Sequence, residues 1–325
     1  MNYIVLDLEW NQSECTSEDM PVDGLPFEII EIGAVKLNEN IEYEGEFHQV
    51  ITPQVYNHMH HITGTLTSIT MKELQHGQAF AIACDSFIKW CGDDFIFCTW
   101  GPSDITELQR NMNYYHMPLL PYPVYYYDLQ KIFSLIYEDG KTRRSLDYVV
   151  DFFNIPLSKE FHRAIYDAGY TADILKRLDI NVVKTYYSID TYQLPASKKD
   201  EIYAVYDNEK YNSYSKYISR GFENKLLVMA DKSVTTTPCY RCQRKLKKKI
   251  HWFSCNSRIY YCLAYCPDHG FMKGKIRIKK HDNGMYFATR ILKLTDENGA
   301  AKIYERQAEI RKKRREKRRR TAAAP

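Results

Sequence analysis

Tyr3-Ile4-Val5-Leu6-Asp7-Leu8-Glu9 runs from four apolar residues into two acids separated by one leucine. The unbroken apolar run at 3–6 predicts a central strand buried on both faces. In a strand, residues i and i+2 share a face, so Asp7 and Glu9 point the same way near its carboxy-terminal end. Two carboxylates side by side repel, and one takes up a proton unless a cation lies between them. That end of a sheet is also where α/β proteins place their sites. The pair is therefore a candidate seat for a hard cation. On its own, the same pattern also fits a solvated strand end.

Reading outward, residues 29–37 (IIEIGAVKL) form a second expected strand and residues 42–50 a third. Residues 79–91 carry apolar positions at helical spacing. Residues 95–100 are another short apolar strand, ended by Gly101-Pro102. A helix capped by Ser103 or Asp104 follows, to about His116. Residues 125–133 pass from strand to helix, and residues 145–153 and 164–178 are further helices. Strands that come to alternate with helices indicate an α/β sheet covered by helices. Residues 186–235 read as a linker or extension, with a short helix near 198–206.

Two more segments carry chemistry. Asp104 follows a short apolar strand and opens a helix, a position that suits either an N-cap or a site acid. His162 and Asp167 are five residues apart, which on one helix is about 140° around the axis. They converge if His162 lies in the loop before the helix and Asp167 faces inward. Ile165, Ala168, Ala172, Leu175 and Leu178 form the apolar stripe of that helix, and small Ala168, Gly169 and Ala172 predict close packing on the sheet.

Together, Asp7-Leu8-Glu9, Asp104, and His162-x4-Asp167 followed by Ala168 resemble the three motifs of the DEDD (DnaQ-like) exonuclease superfamily, in its histidine-bearing DEDDh form. Glu31-Ile32-Gly33-Ala34-Val35 resembles the family's second strand, and Ile62-Thr63-Gly64 a segment between its first two motifs. Trp100-Gly101 before Asp104 looks like the Eri-type branch, to which the KapD-like bacterial exonucleases are similar. The resemblance covers about residues 1–180. Trp10 departs from the pattern, because a small residue or Thr commonly follows the motif I glutamate.

The resemblance implies a ribonuclease H-like mixed central sheet flanked by helices over residues 1–182. It implies that Asp7, Glu9, Asp104 and Asp167 hold two Mg²⁺ or Mn²⁺ ions, which suit hard oxygen ligands. His162 would be the general base of a 3′→5′ exonuclease that releases nucleoside 5′-monophosphates, a task suited to the near-neutral pKa of histidine. The implied partner is a single-stranded or 3′-overhang nucleic acid, RNA preferred because of the Eri-type likeness. A DNA exonuclease is the alternative within the class. A non-catalytic nucleic-acid-binding regulator is the alternative outside it, and the presence of all five residues argues against that reading.

A second cluster lies downstream. Cys239-Tyr240-Arg241-Cys242 and Cys266-Pro267-Asp268-His269 are two knuckles with 23 intervening residues. Such pairs supply four ligands to one structural Zn²⁺. The spacing resembles a zinc ribbon, expected over 236–300, with residues 183–235 as linker or extension. Cys255 and Cys262 are nearby substitutes, although Tyr260, Tyr261 and Leu263 suggest that Cys262 packs on a strand. Lys and Arg interleaved with Trp252 and Phe253 fit either a single-strand-binding surface or a solvated β-surface.

The chain has 325 residues, 44% hydrophobic, with net charge +4. Residues 306–320 carry ten Lys/Arg and two Glu, a local +8 that leaves the remainder at −4. Basicity thus belongs to a tail, 301–325, expected to lack fixed structure alone because like charges repel. Such a tail adds salt-dependent affinity for nucleic acid or simply solubilises the chain. No run of eighteen apolar residues exists, so no membrane span is expected. The first residues lack the marks of a signal peptide, which predicts a cytoplasmic setting. The nine cysteines would there favour metal over disulfides.

Overall fold

β1 (Asn2–Asn11) lies inside a six-stranded sheet in a computed structural model that describes residues 1–16, 20–157, 159–208 and 210–322. Its neighbours are β2 (Glu28–Leu37), antiparallel, and β4 (Phe95–Thr99), parallel. β3 (Tyr43–Val50) extends the β2 side, and β5 (Tyr125–Asp128) and β6 (Ser188–Ile189) extend the β4 side, giving the order β3-β2-β1-β4-β5-β6. This is the mixed central sheet that the resemblance implies.

The pleat of β1 sorts its side chains. Ile4, Leu6 and Leu8 enter one core with Phe87 of the helix Phe80–Cys91 and with Ile105 and Leu108 of the helix Ser103–Tyr114. Asp7 and Glu9 therefore face the other way. The pairing shifts just beyond the acids, where Glu9–Trp10 of β1 faces Glu31–Ile29 of β2, so Ile30 is an extra residue that bulges β2, a device that re-aims side chains beside sites. The helix Ala164–Leu175 packs on β1 and β2. A Cβ at Gly33 would come within 2.1 Å of the Ala164 carbonyl carbon, so a glycine is required for that approach. Ala168 and Ala172 are buried, but a Cβ at Gly169 would meet nothing within 4 Å. Gly33, rather than Gly169, makes the close packing possible.

The chain divides into the units Met1–Gln193 and Leu194–Pro325. The stretch 183–235, expected as a linker or extension, divides between the two units. The helix Ile180–Thr185 and β6 belong to the first unit, while β7 (Ile202–Tyr206) and β8 (Tyr214–Ile218) are strands of the second. The short helix expected near 198–206 is one 3₁₀ turn, Lys198–Asp200, followed by β7. In β7, Ala204 and Tyr206 are buried while Tyr203 and Val205 are exposed, a period of two that marks a strand.

β9 (Lys247–Ser254), β10 (Ile259–Cys266), β11 (Gly270–Lys280) and β12 (Tyr286–Thr295) complete an antiparallel sheet, ordered β7-β8-β12-β11-β10-β9. It is larger than the expected zinc ribbon because the β7–β8 hairpin joins it. The tail is also ordered: Glu297–Ala322 is one helix. Ala300 and Ile303 pack against Ile250 and Leu263, which anchors the first turns, and Lys, Arg, Glu and Ala are good helix formers. The tail residues Ala323, Ala324 and Pro325 lie outside the described residues. Among the described residues no helix is long and apolar enough to cross a membrane.

Candidate active site and metal centre

Four acids from three elements meet at the carboxy-terminal end of β1. Asp7 and Glu9 come from β1 itself. Asp104 is in the first turn of its helix and 6% exposed. Its Oδ1 accepts from Leu8 N at 3.2 Å, so it tethers β1 and leaves the N-cap position to Pro102. Asp167 is 7% exposed in the first turn of the helix Ala164–Leu175. His162 lies in the loop before that helix with φ +68° and is exposed. Its N–H donates to Asp167 Oδ2 at 3.0 Å. Ligand atoms of Glu9, His162 and Asp167 all lie within 4.8 Å of one another.

The electrostatics run against ionising this cluster. Burial, then Asp104, Glu9 and Asp167, push Asp7 well up. Burial and Asp167 push Glu9 up to about 8. Burial pushes Asp104 up to about 7 and Asp167 up to about 6. Asp167 Oδ1 is buried without a hydrogen-bond partner. A buried, orphaned carboxylate oxygen among repelling acids is what a divalent cation would relieve. The donor set, all hard oxygen plus one imidazole, fits Mg²⁺ or Mn²⁺.

The exonuclease family matches residues 4–175, just over half of the chain. This chain belongs to that family. It is thus an exonuclease, a hydrolase of phosphodiester bonds. No curated protein matches it. Among solved structures it is similar to a full-length 3′-exonuclease, with 18% identity and TM-score 0.48 over 56% of this chain and 83% of that one. It is also similar to the nuclease domain of 3′hExo, a DEDDh family member bound to rAMP, with 18% identity and TM-score 0.49 over 58% and 96%. Escherichia coli exonuclease I in complex with a dA16 oligonucleotide is similar at 11% identity and TM-score 0.48, over 81% of this chain and 54% of that one.

The roles of Glu31 and Arg163 in this exonuclease escaped the sequence reading. Glu31 is fully buried on β2. It takes His48 Nε2 at 2.7 Å, Arg163 Nε at 3.0 Å and the Ala164 N–H at 2.9 Å. Arg163 also reaches Glu73 at 2.8 Å. This network pins the start of the helix that carries Asp167, together with the loop carrying His162. The available signal was an acid inside an apolar strand, since a buried carboxylate needs a partner.

Other motif residues have structural contacts. Trp10 packs at a tilt against Phe27, with ring centroids 5.6 Å apart, and its carbonyl accepts from Thr63 Oγ1 at 3.3 Å. The Ile62-Thr63-Gly64 segment lies in the helix His61–Thr67, which that bond ties to β1. Trp100 Nε1 donates to Arg144 O at 3.2 Å.

In the second unit, Cys239, Cys242, Cys266 and His269 gather with their ligand atoms within 4.8 Å of one another. Cys242 Sγ is 3.7 Å from Cys266 Sγ, and His269 Nδ1 is 3.6 Å from Cys239 Sγ and 3.5 Å from Cys266 Sγ. A tetrahedral zinc, with bonds of about 2.3 Å to sulfur and about 2.0 Å to nitrogen, sets such atoms roughly 3.5–3.8 Å apart. Cys262 is buried in β10, and neither it nor Cys255 joins the group.

Proposed function

We propose that Asp7, Glu9, Asp104 and Asp167 hold two divalent cations, Mg²⁺ or Mn²⁺, and that His162 is the general base for hydrolysis at RNA 3′ ends. The orphaned Oδ1 of Asp167, in a cluster whose acids resist ionisation without a cation, carries this reading. Bound cations would supply an acidified water and neutralise charge on the departing oxygen. His162, exposed and within reach of Glu9 and Asp167, accepts the water's proton on its imidazole nitrogen. The water oxygen bonds to phosphorus as the bond to the 3′ oxygen breaks, and a nucleoside 5′-monophosphate leaves. Asp167 keeps His162 in place through the backbone N–H. Arg163 and Glu31 hold that loop against the sheet.

RNA is proposed over DNA on the likeness of Trp100-Gly101 to the Eri-type branch. We also assign one structural Zn²⁺ to Cys239, Cys242, Cys266 and His269, since a closed four-ligand site leaves no position for a reacting water.

The test incubates full-length protein with RNA and DNA of matched sequence and Mg²⁺ or Mn²⁺. The expected result is a ladder shortening from the 3′ end, faster on RNA, lost with EDTA and greatly weakened by His162→Ala. A faster DNA ladder reassigns the substrate. Undiminished shortening in EDTA or in the variant overturns the mechanism.

A further inference from the structure

Strand β11 carries a cation at every second position: Lys273, Lys275 and Arg277. Met272, Gly274, Ile276 and Ile278 alternate with them and are buried. The three cations therefore project together from the opposite face, about 6.5 Å apart along the strand. The register widens this row. Lys273 faces Lys293 on β12, and Lys275 faces Ile291, which in turn faces Lys216 on β8. Lys293 reaches the neutral side chain of Asn212. Ile291 remains 37% exposed among these cations, so the row is open to solvent there.

Like charges directly opposite one another cost stability, yet β8 through β12 contain no Asp or Glu at all. The chain as a whole has 41 acids in 325 residues. A merely solvated β-surface mixes its signs along its strands, whereas these strands exclude one sign and tolerate the repulsion. The acids of this face, Glu305 and Glu309 among them, belong to the helix Glu297–Ala322, which packs beside the row through Ala300 and Ile303 on Leu263. Tyr261 borders the row, with Lys275 Nζ 5.9 Å and Arg306 Cζ 4.6 Å from its ring. The C-terminal helix thus adds a cation along the same edge. Evenly spaced positive charge beside aromatic rings is how sequence-tolerant proteins follow a single strand.

We propose that this row is a track for the phosphate backbone of single-stranded nucleic acid, with Lys273, Lys275 and Arg277 as its rungs. The proposal takes the identity of the polyanion from the exonuclease reading, but its geometry stands without the active site.

The test uses full-length protein in EDTA, so that nothing is cleaved, and a labelled oligonucleotide of about 20 residues, titrated between about 50 and about 300 mM salt. The variant Lys273→Gln/Lys275→Gln/Arg277→Gln is compared with a charge-matched control, Lys198→Gln/Lys199→Gln/Lys232→Gln. Hydrolysis of a dinucleotide, too short to use a track, is measured alongside. The ladder variant is expected to bind about tenfold more weakly, with a salt slope shallower by about 2, because each phosphate contact on a single strand contributes about 0.7. Its dinucleotide hydrolysis stays at the wild-type rate. Unchanged affinity and slope overturn the track, as does equal weakening in the control. Normal oligonucleotide binding with lost binding to phosphatidylserine–phosphatidylcholine vesicles overturns it in favour of a membrane surface. Failure of wild-type protein to hydrolyse the dinucleotide under Mg²⁺ and Mn²⁺ counts against the catalytic reading alone.

Discussion

Glu31 lies directly across from Glu9 on the neighbouring strand, and the two acids meet opposite fates. Burial works against ionising Glu31, but His48, Arg163 and the Ala164 N–H outweigh it and hold its carboxyl below the usual range. Glu9 has burial and Asp167 against it and rises to about 8. One acid of the pair is satisfied by protein and orders a helix start. On the proposed mechanism, a cation would satisfy the other.

Replacing Glu31 by Gln removes the charge that Arg163 neutralises and loosens the loop of His162. Stability should fall by about 3 kcal/mol, the cost of breaking a buried ion pair. Turnover should fall at least about tenfold with little change in KM, since the residue orients a group rather than binds substrate. Steady-state kinetics beside denaturant unfolding checks this. A stability loss with normal turnover would show that the network does not position the site.

Asp7→Asn has two expected effects of opposite sign. Hydrolysis falls by about a thousandfold or more, because a ligand and its charge are gone. The metal-free protein gains on the order of 1 kcal/mol, since a pKa unit of relieved repulsion is worth about 1.4 kcal/mol. Melting in EDTA decides. A destabilised variant would mean that Asp7 is held by protein partners.

The pH dependence follows from the same cluster. Asp7 is raised, and Glu9, Asp104 and Asp167 are raised to about 8, 7 and 6. The folded, metal-free protein therefore binds more protons than the unfolded chain from about pH 4 to about pH 8. The site's contribution to stability is intact below that window and is lost as pH rises through it. Melting temperatures in chelator should decline from pH 5 to pH 8. Mg²⁺ should restore more stability at pH 8 than at pH 5. A chelated protein with a flat profile refutes the coupling.

Gly33→Ala would drive a methyl group into the backbone of Ala164. A loss of at least about 2 kcal/mol is expected from overpacking, and turnover should fall with it because Asp167 rides on the displaced helix. Thermal unfolding and dinucleotide hydrolysis measure the two effects.

Zinc content by elemental analysis should be one ion per chain, absent in Cys242→Ser. The variant should lose cooperative melting of the second unit while dinucleotide hydrolysis in the first unit persists. Full metal content in the variant would remove Cys242 from the ligand set.

Local patterns made most of this legible. The apolar run of β1 fixed its burial, its period of two put Asp7 and Glu9 on one face, and the paired knuckles named four residues that do converge. What stayed hidden depended on distant partners. Glu31 looked like an irregularity in an apolar strand until Arg163, 132 residues away, was seen to neutralise it. The strand β7 was obscured because Tyr, Lys and Ser on a half-exposed hairpin resemble a linker in composition. The tail helix was missed because its anchor, Ile303 against Leu263, is a tertiary contact that charge counting does not register.

Among the described residues β9 pairs only with β10 and so presents an open edge. Its register sets Lys247 against Tyr265, so the knuckles before β9 and after β10 meet at the free end of this hairpin. An unguarded strand edge invites pairing with another molecule, and lysines blunt that tendency. Lys247, Lys248 and Lys249 stand at this edge. Bound zinc would clamp the end from which the strand peels, so losing zinc alone, as in Cys242→Ser, should cost the protein its resistance to aggregation while its chemistry remains.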